Sequence, residues 1–238
     1  MIQVRHLYKS FNGQKVLEDV SFEVSRGEIL VVLGESGTGK SVLLKHLAGL
    51  LKPDRGSVLI DAKDITRMSE RELLGVRKDI GYLFQEGALY DFMNVFENIA
   101  FPLREHTAFD GKAIRAKVED ILQLIGLEGI GAKYPAELSG GMKKRVALAR
   151  AVILGSKILF CDEPTSGLDP LRSRDISGLI RGVAEKFHCT TVVTSHDIPN
   201  SFGMADRIAL LQEGRIAAIG TPSEIKASRN VFVQEFIT

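Results

Sequence analysis

The chain has almost no net charge: 31 Lys and Arg stand against 30 Asp and Glu, a formal +1. A nucleic-acid partner would require a basic stripe, so the balance argues against that class. Only two cysteines occur, Cys161 and Cys189, and their separation has no metal-ligand spacing. They read as reduced, structural thiols of a cytosolic chain, not as a disulfide framework. No apolar run approaches the length of a membrane span, and the opening Met1-Ile2-Gln3-Val4-Arg5 is not a signal peptide. Any membrane contact is therefore expected through a partner. Internal repeats, low-complexity tracts and long linkers are missing too. With 45% hydrophobic residues over 238 positions, a single domain with a large core is expected.

What is present is a set of short motifs. Gly34-Glu35-Ser36-Gly37-Thr38-Gly39-Lys40-Ser41 fits G-x-x-x-x-G-K-[ST], follows a strand-like run at Ile29–Leu33 and opens a helix-like run at 41–50. Strand, glycine-rich turn and helix start aim backbone N–H groups and the positive end of the helix dipole at one point, where a polyphosphate can sit. Gly34, Gly37 and Gly39 let the backbone wrap closely, with Glu35, Ser36 and Thr38 between them. Lys40 brings a mobile ammonium to the outer phosphates and Ser41 a hydroxyl to Mg2+, with Val42 next in the same helical turn. The ligands this pattern selects are a polyphosphate and Mg2+.

A second anchor is Lys157-Ile158-Leu159-Phe160-Cys161-Asp162-Glu163, a buried-strand run that ends in two carboxylates. Leaving a parallel strand at its C-terminal edge, the chain delivers both acids to the crevice where open α/β sheets bind ligands. Asp162 is placed to hold the Mg2+ shell, and Glu163 to orient or deprotonate an attacking water. Pro164-Thr165-Ser166-Gly167-Leu168-Asp169 follows directly.

With Gln85, Leu138-Ser139-Gly140-Gly141 and Thr194-Ser195-His196 in the same order, the chain resembles the nucleotide-binding subunit of ATP-binding-cassette (ABC) transporters over about 2–225. The resemblance implies an α/β P-loop NTPase fold, an ABC nucleotide-binding domain with an antiparallel β patch and an inserted helical subdomain. It implies a single ATPase domain over 1–238: a RecA-like core at 1–84 and 157–225, a helical subdomain at about 85–156, and a short tail at 226–238. Phe11 resembles the aromatic that stacks on adenine, with Tyr8 as its competitor. Gln85 resembles the residue that contacts Mg2+ or water, and His196 the switch histidine at the γ-phosphate. Glu163, His196, Gln85 and Lys40 are then the catalytic set; Ser41, Gln85 and Asp162 serve the metal. Ser139, Gly140 and Gly141 resemble the signature that completes the opposite subunit's site, which implies a head-to-tail homodimer with two ATP molecules at its interface.

One residue departs from the family pattern: Met142 stands where the signature normally carries Gln. Leu-Ser-Gly-Gly-Met-Lys-Lys-Arg-Val and Phe84-Gln85-Glu86-Gly87-Ala88-Leu89-Tyr90-Asp91 resemble the ATPases of Mla- and Mce-type lipid transporters. That branch implies phospholipid cargo moving between the membranes of a Gram-negative envelope. It also implies an integral membrane permease, a periplasmic lipid-binding MCE-domain protein, a small STAS-domain protein, and a place on the cytoplasmic face of the inner membrane. Residues 87–106 read equally as a permease groove or as packing for a helical lobe. Alternating stretches at 2–4, 16–24 and 57–60 predict the antiparallel patch, and 95–100 and 112–125 predict helices. The apolar tail residues fit packing on their own subunit or on a neighbour. Three other readings compete: an ABC importer ATPase for another substrate, a soluble ABC ATPase of DNA repair or translation, whose long insertions are missing, and a non-hydrolysing regulatory module, which intact Lys40, Glu163 and His196 disfavour.

Overall fold

Alternation writes the first sheet. In Ile2–Phe11 (β1) the side chains of Ile2, Val4 and Leu7 are buried, and in Gln14–Val24 (β2) those of Leu17, Val20, Phe22 and Val24. Asn12 and Gly13 join the two strands at positive φ, 49° and 82°, the backbone a tight hairpin turn requires. The computed structural model describes residues 1–237. It continues through Ile29–Leu33 (β3), Lys40–Leu47 (α1), Arg55–Ile60 (β4), Lys63–Asp64 (β5), Glu70–Arg77 (α2) and Ile80–Leu83 (β6). Three helices follow, Val95–His106 (α3), Gly111–Leu124 (α4) and Gly140–Val152 (α5), before the chain returns in Ile158–Asp162 (β7). Pro170–Phe187 (α6), Thr190–Ser195 (β8), Ile198–Met204 (α7), Arg207–Gln212 (β9), Arg215–Gly220 (β10), Pro222–Lys226 (α8) and Val231–Ile237 (α9) complete the order.

The expected antiparallel patch is the sheet β2-β1-β4-β5. The second sheet runs β10-β9-β3-β8-β7-β6, parallel except for β10. β3 and β7 are buried at every residue, as unbroken apolar runs predict for strands covered on both faces. Leu30, Val32, Ile158 and Phe160 pack with α1 and the antiparallel sheet; Val31, Leu33, Leu159 and Cys161 pack with α3 to α6 on the other side.

Two boundaries differ from the sequence expectation. α1 ends at Leu47, not Leu50, because Gly49 turns left-handed at φ 63°. Its N–H meets the His46 carbonyl at 3.1 Å, and the Leu50 N–H meets Lys45 at 2.9 Å, which closes the helix end. α3 starts in a capping box between Asn94 and Glu97 and runs through Pro102 to His106, beyond the expected 95–100. The tail forms α9, whose Val233 is fully buried and whose Phe232 and Phe236 pack on the chain's own core; Thr238 lies outside the described residues. Among the described residues no helix is long and apolar enough to cross a membrane.

Candidate nucleotide-binding site

β3 delivers the chain into the turn 34–39 at the C-terminal edge of the parallel sheet, and α1 carries it away. Glycine is obligatory at two positions there. A Cβ on Gly34 would stand 2.6 Å from the Leu211 carbonyl oxygen, and one on Gly39, already at φ 101°, 2.9 Å from that of Val16. The Thr38 hydroxyl donates to the Glu35 carbonyl at 2.9 Å and fastens the loop on itself.

Lys40 is only 5% exposed. Its ammonium donates to the carbonyls of Gly34 at 2.8 Å and Glu35 at 2.9 Å and pairs with Glu163 Oε1 at 3.0 Å. The other Glu163 oxygen lies 2.8 Å from His196 Nδ1, so Lys40, Glu163 and His196 form one connected line. Asp162 faces another way: Ser41 Oγ donates to its Oδ1 at 2.8 Å and Thr194 Oγ1 at 2.7 Å. The Thr194 hydroxyl also accepts the Glu163 N–H at 3.1 Å, so one threonine orients both acids. Glu163 takes φ 45°, a left-handed backbone that costs a glutamate roughly 1 kcal/mol or more and recurs at functional sites.

These groups surround a cavity of about 460 Å³, with Ser36, Gly37, Gly39, Lys40, Ser41, Val42, Gln85, Glu163 and His196 in its wall. Val16 and Ser166 line it as well and were not singled out from sequence. Ser166 sits inside a motif already marked, with its hydroxyl 3.5 Å from Gln85 Nε2; Val16, an aliphatic residue on an alternating strand, carries no chemical signal. Phe11 stands outside that wall at the end of β1, 42% exposed, with the Lys9 ammonium 5.2 Å from its ring centre. Tyr8 is half-buried.

The signature residues lie apart from this cavity. Ser139 caps α5 by accepting the Met142 N–H at 3.4 Å. A Cβ on Gly140 would meet only Leu168, at 3.5 Å, and one on Gly141 only Arg172, at 3.9 Å, and neither glycine is left-handed. Nothing within the chain requires glycine at either place; at the positive end of α5 Ser139 and Gly140 are exposed and Gly141 is buried. Met142 is half-buried against the core.

α5 also holds the segment that leaves β6. Buried Lys144 donates to the Gln85 carbonyl, and Arg150 donates to the carbonyls of Gly87 and Ala88 at 2.8 Å each. Burial pulls the Lys144 ammonium below the ordinary lysine range, against the opposing pull of the carboxylates of Glu86, Glu163 and Asp162. Beside this segment, along the free edge of β6, runs a groove of about 770 Å³. Leu74, Tyr82, Phe84, Tyr90, Phe101 and Pro102 wall it, and Arg71, Lys78 and Arg150 give it a cationic rim, with His106 beside them. Asn98, fully buried, bonds the N–H and carbonyl of Tyr90 and so fixes that wall from within the helical lobe.

The family model for the ABC transporter matches residues 17–166. The chain belongs to the ABC transporter family. Its relatives include the probable ribonucleotide transport ATP-binding protein mkl of Mycobacterium leprae, 44% identical over 99% of this chain and 68% of that protein. The intermembrane phospholipid transport system ATP-binding protein MlaF of Haemophilus influenzae is 38% identical over 100% of this chain and 90% of its own length. Among solved structures, a dimeric ATP-binding cassette in a post-hydrolysis state with ADP and Pi superposes with a TM-score of 0.85. It is 30% identical and covers 93% of this chain and 99% of its own. This ABC protein is an ATP-binding ATPase subunit of a transporter with the α/β cassette fold. The donor set also fits magnesium: the Ser41 hydroxyl and the Asp162 carboxylate are hard oxygen donors that converge at 2.8 Å.

Proposed function

We propose that this ABC ATPase works as a homodimer on the cytoplasmic face of an inner membrane and drives a permease that moves phospholipid between two membranes. The observation that carries the dimer is the start of α5: Ser139 and Gly140 are exposed, neither they nor Gly141 lines the chain's own nucleotide cavity, and no internal contact demands glycine there. Placed over the partner's γ-phosphate, those backbone N–H groups complete its site. The match to MlaF along the whole chain supports the cargo, and by the same resemblance an MCE-domain protein and a STAS-domain protein belong to the assembly.

In the mechanism, the turn 34–39 cradles the phosphates and the Lys40 ammonium, now on the Gly34 and Glu35 carbonyls, turns to the outer phosphates of ATP. That releases the Glu163 oxygen it pairs with, and Glu163 orients the attacking water while His196, bonded to its other oxygen, keeps it aimed at the γ-phosphate. Magnesium, when bound, supplies charge neutralisation between the phosphates, with Ser41, Asp162 and Gln85 as the residues that would hold it. Phe11 stacks on the base. Lys144 and Arg150 tie residues 85–88 to α5, so a shift of α5 reaches the groove, where an amphipathic helix of the permease docks.

The name of the mkl relative favours a second cargo, ribonucleotide. Tagging the chain in its native cell, extracting membranes gently and identifying co-purifying proteins and small molecules by mass spectrometry separates the two. An integral permease with a lipid-binding periplasmic protein and phospholipid supports the lipid reading. A permease with nucleotide-binding companions replaces the cargo, and ribosomes or nucleic acid without a permease overturns both.

A further inference from the structure

Tyr82 has a buried hydroxyl without a hydrogen-bond partner of good geometry, a state folded chains rarely keep without a reason. The sheet fixes where that hydroxyl lies. β6 and β7 pair in parallel, Ile80 beside Ile158 and Tyr82 beside Phe160, so Tyr82 shares a face with Phe160 and Asp162. Its ring meets Phe160 edge-on at 6.3 Å and Phe84 at 4.3 Å, and the Asp162 carboxylate on the same face is close enough to act on its hydroxyl. Burial first, and then the nearby Asp162 charge, holds the phenol well above its ordinary range, so the oxygen keeps its proton. Asp162 takes both of its hydrogen bonds, from Ser41 and Thr194, on Oδ1. Oδ2 is left for a further donor.

We infer that Tyr82 is a positioning residue for the magnesium carboxylate: its O–H donates to Asp162 once the Ser41 hydroxyl turns to the metal. The inference rests on the reading of Ser41 and Asp162 as magnesium residues. Asp162 would otherwise keep a single hydrogen bond, from Thr194, at the moment its orientation matters most. A ring wedged between Phe160 and Phe84 places the spare donor without any backbone movement. The same ring forms part of the groove wall, so one side chain touches both sites.

Tyr82→Phe keeps both ring contacts and removes one oxygen. The probe is Mn2+, titrated by electron paramagnetic resonance into the purified protein with a non-hydrolysable ATP analogue. The Mn2+ half-saturation concentration is expected to rise about five- to tenfold, the size of one net hydrogen bond made in one state only. Analogue affinity in EDTA stays at the wild-type value. The melting temperature does not fall, because the lost hydroxyl had no partner. Asp162→Asn raises the Mn2+ half-saturation as well, and adding Tyr82→Phe to it brings no further shift. Wild-type Mn2+ binding in Tyr82→Phe, with Asp162→Asn weakened, overturns the inference alone. No change in either variant overturns the metal reading of Asp162 and the inference with it. Additive shifts in the double variant also overturn it, since Tyr82 would then not act through Asp162.

Discussion

The nucleotide cavity and the groove on β6 belong to one sheet and are made of opposite materials. In the cavity, charged groups sit 5% to 7% exposed, and hydrogen bonds lock each to a named partner: Lys40 to Glu163, Glu163 to His196, Asp162 to Ser41 and Thr194. In the groove, aromatic and aliphatic walls carry a rim of cations, and the exposed ring of its Tyr90 lies 5.6 Å from that of Phe92 outside the wall. A site for a fixed small molecule needs donors at fixed atoms, so single-atom changes ruin it. A site for a polypeptide needs shape and apolar area, which many side chains provide.

The sharpest contrast comes from Glu163→Gln, which removes the base and keeps the shape. Hydrolysis is expected to fall about 10²- to 10⁴-fold with ATP affinity retained, read by phosphate release and equilibrium dialysis. Normal turnover would remove Glu163 from the mechanism. Next, Lys40→Ala takes away charge-assisted hydrogen bonds, and ATP affinity should drop about 10- to 100-fold. Unchanged affinity would leave the loop without its cradle role. On the groove side, Leu74→Asp puts a carboxylate into an apolar wall that is 60% exposed. Capture of the detergent-solubilised permease should weaken about tenfold while basal ATP hydrolysis holds. Equal losses in both would show that cavity and groove are not separable. The smallest effect is expected of Met142→Gln, within about twofold of wild-type hydrolysis, because Ser139 and the two glycines remain; a large gain would mean that Met142 restrains the site.

The same contrast explains what could be read from residues. Phosphate chemistry demands glycine, lysine and serine at fixed spacing and carboxylates at a strand end, so the turn 34–41 and Asp162-Glu163 were plain in the letters, and the buried β3 and β7 likewise. The line from Lys40 through Glu163 to His196 was legible only as separate members, since no spacing rule joins residues so far apart in the chain. Thr194, which bonds both acids, stood out only as part of Thr194-Ser195-His196, and Val16 only as the start of an alternating stretch. For the tail, apolar letters fitted packing on its own subunit or on a neighbour, and Val233, Phe232 and Phe236 pack on the chain's own core. The stop of α1 at Gly49 was written in the glycine and passed over. Residues 87–106 stayed ambiguous because an aromatic that packs and an aromatic that waits for a partner are the same letter: Ile99 and Leu103 are buried, while Tyr90 and Phe92 are not.

α5 begins at the two glycines, holds residues 85–88 through Lys144 and Arg150, and lends Arg150 to the groove. Its 13 residues make a rod about 20 Å long that touches both places where something from outside can bind. Thermodynamic reciprocity then sets a rule on any machine built around it. If ATP strengthens what docks in the groove tenfold, the docked partner must strengthen ATP tenfold, because the two free energies close one cycle. Under that coupling, a permease that let go of the groove would loosen the fuel as well, and a subunit left without its partner would hold less ATP at low nucleotide, with no separate inhibitor.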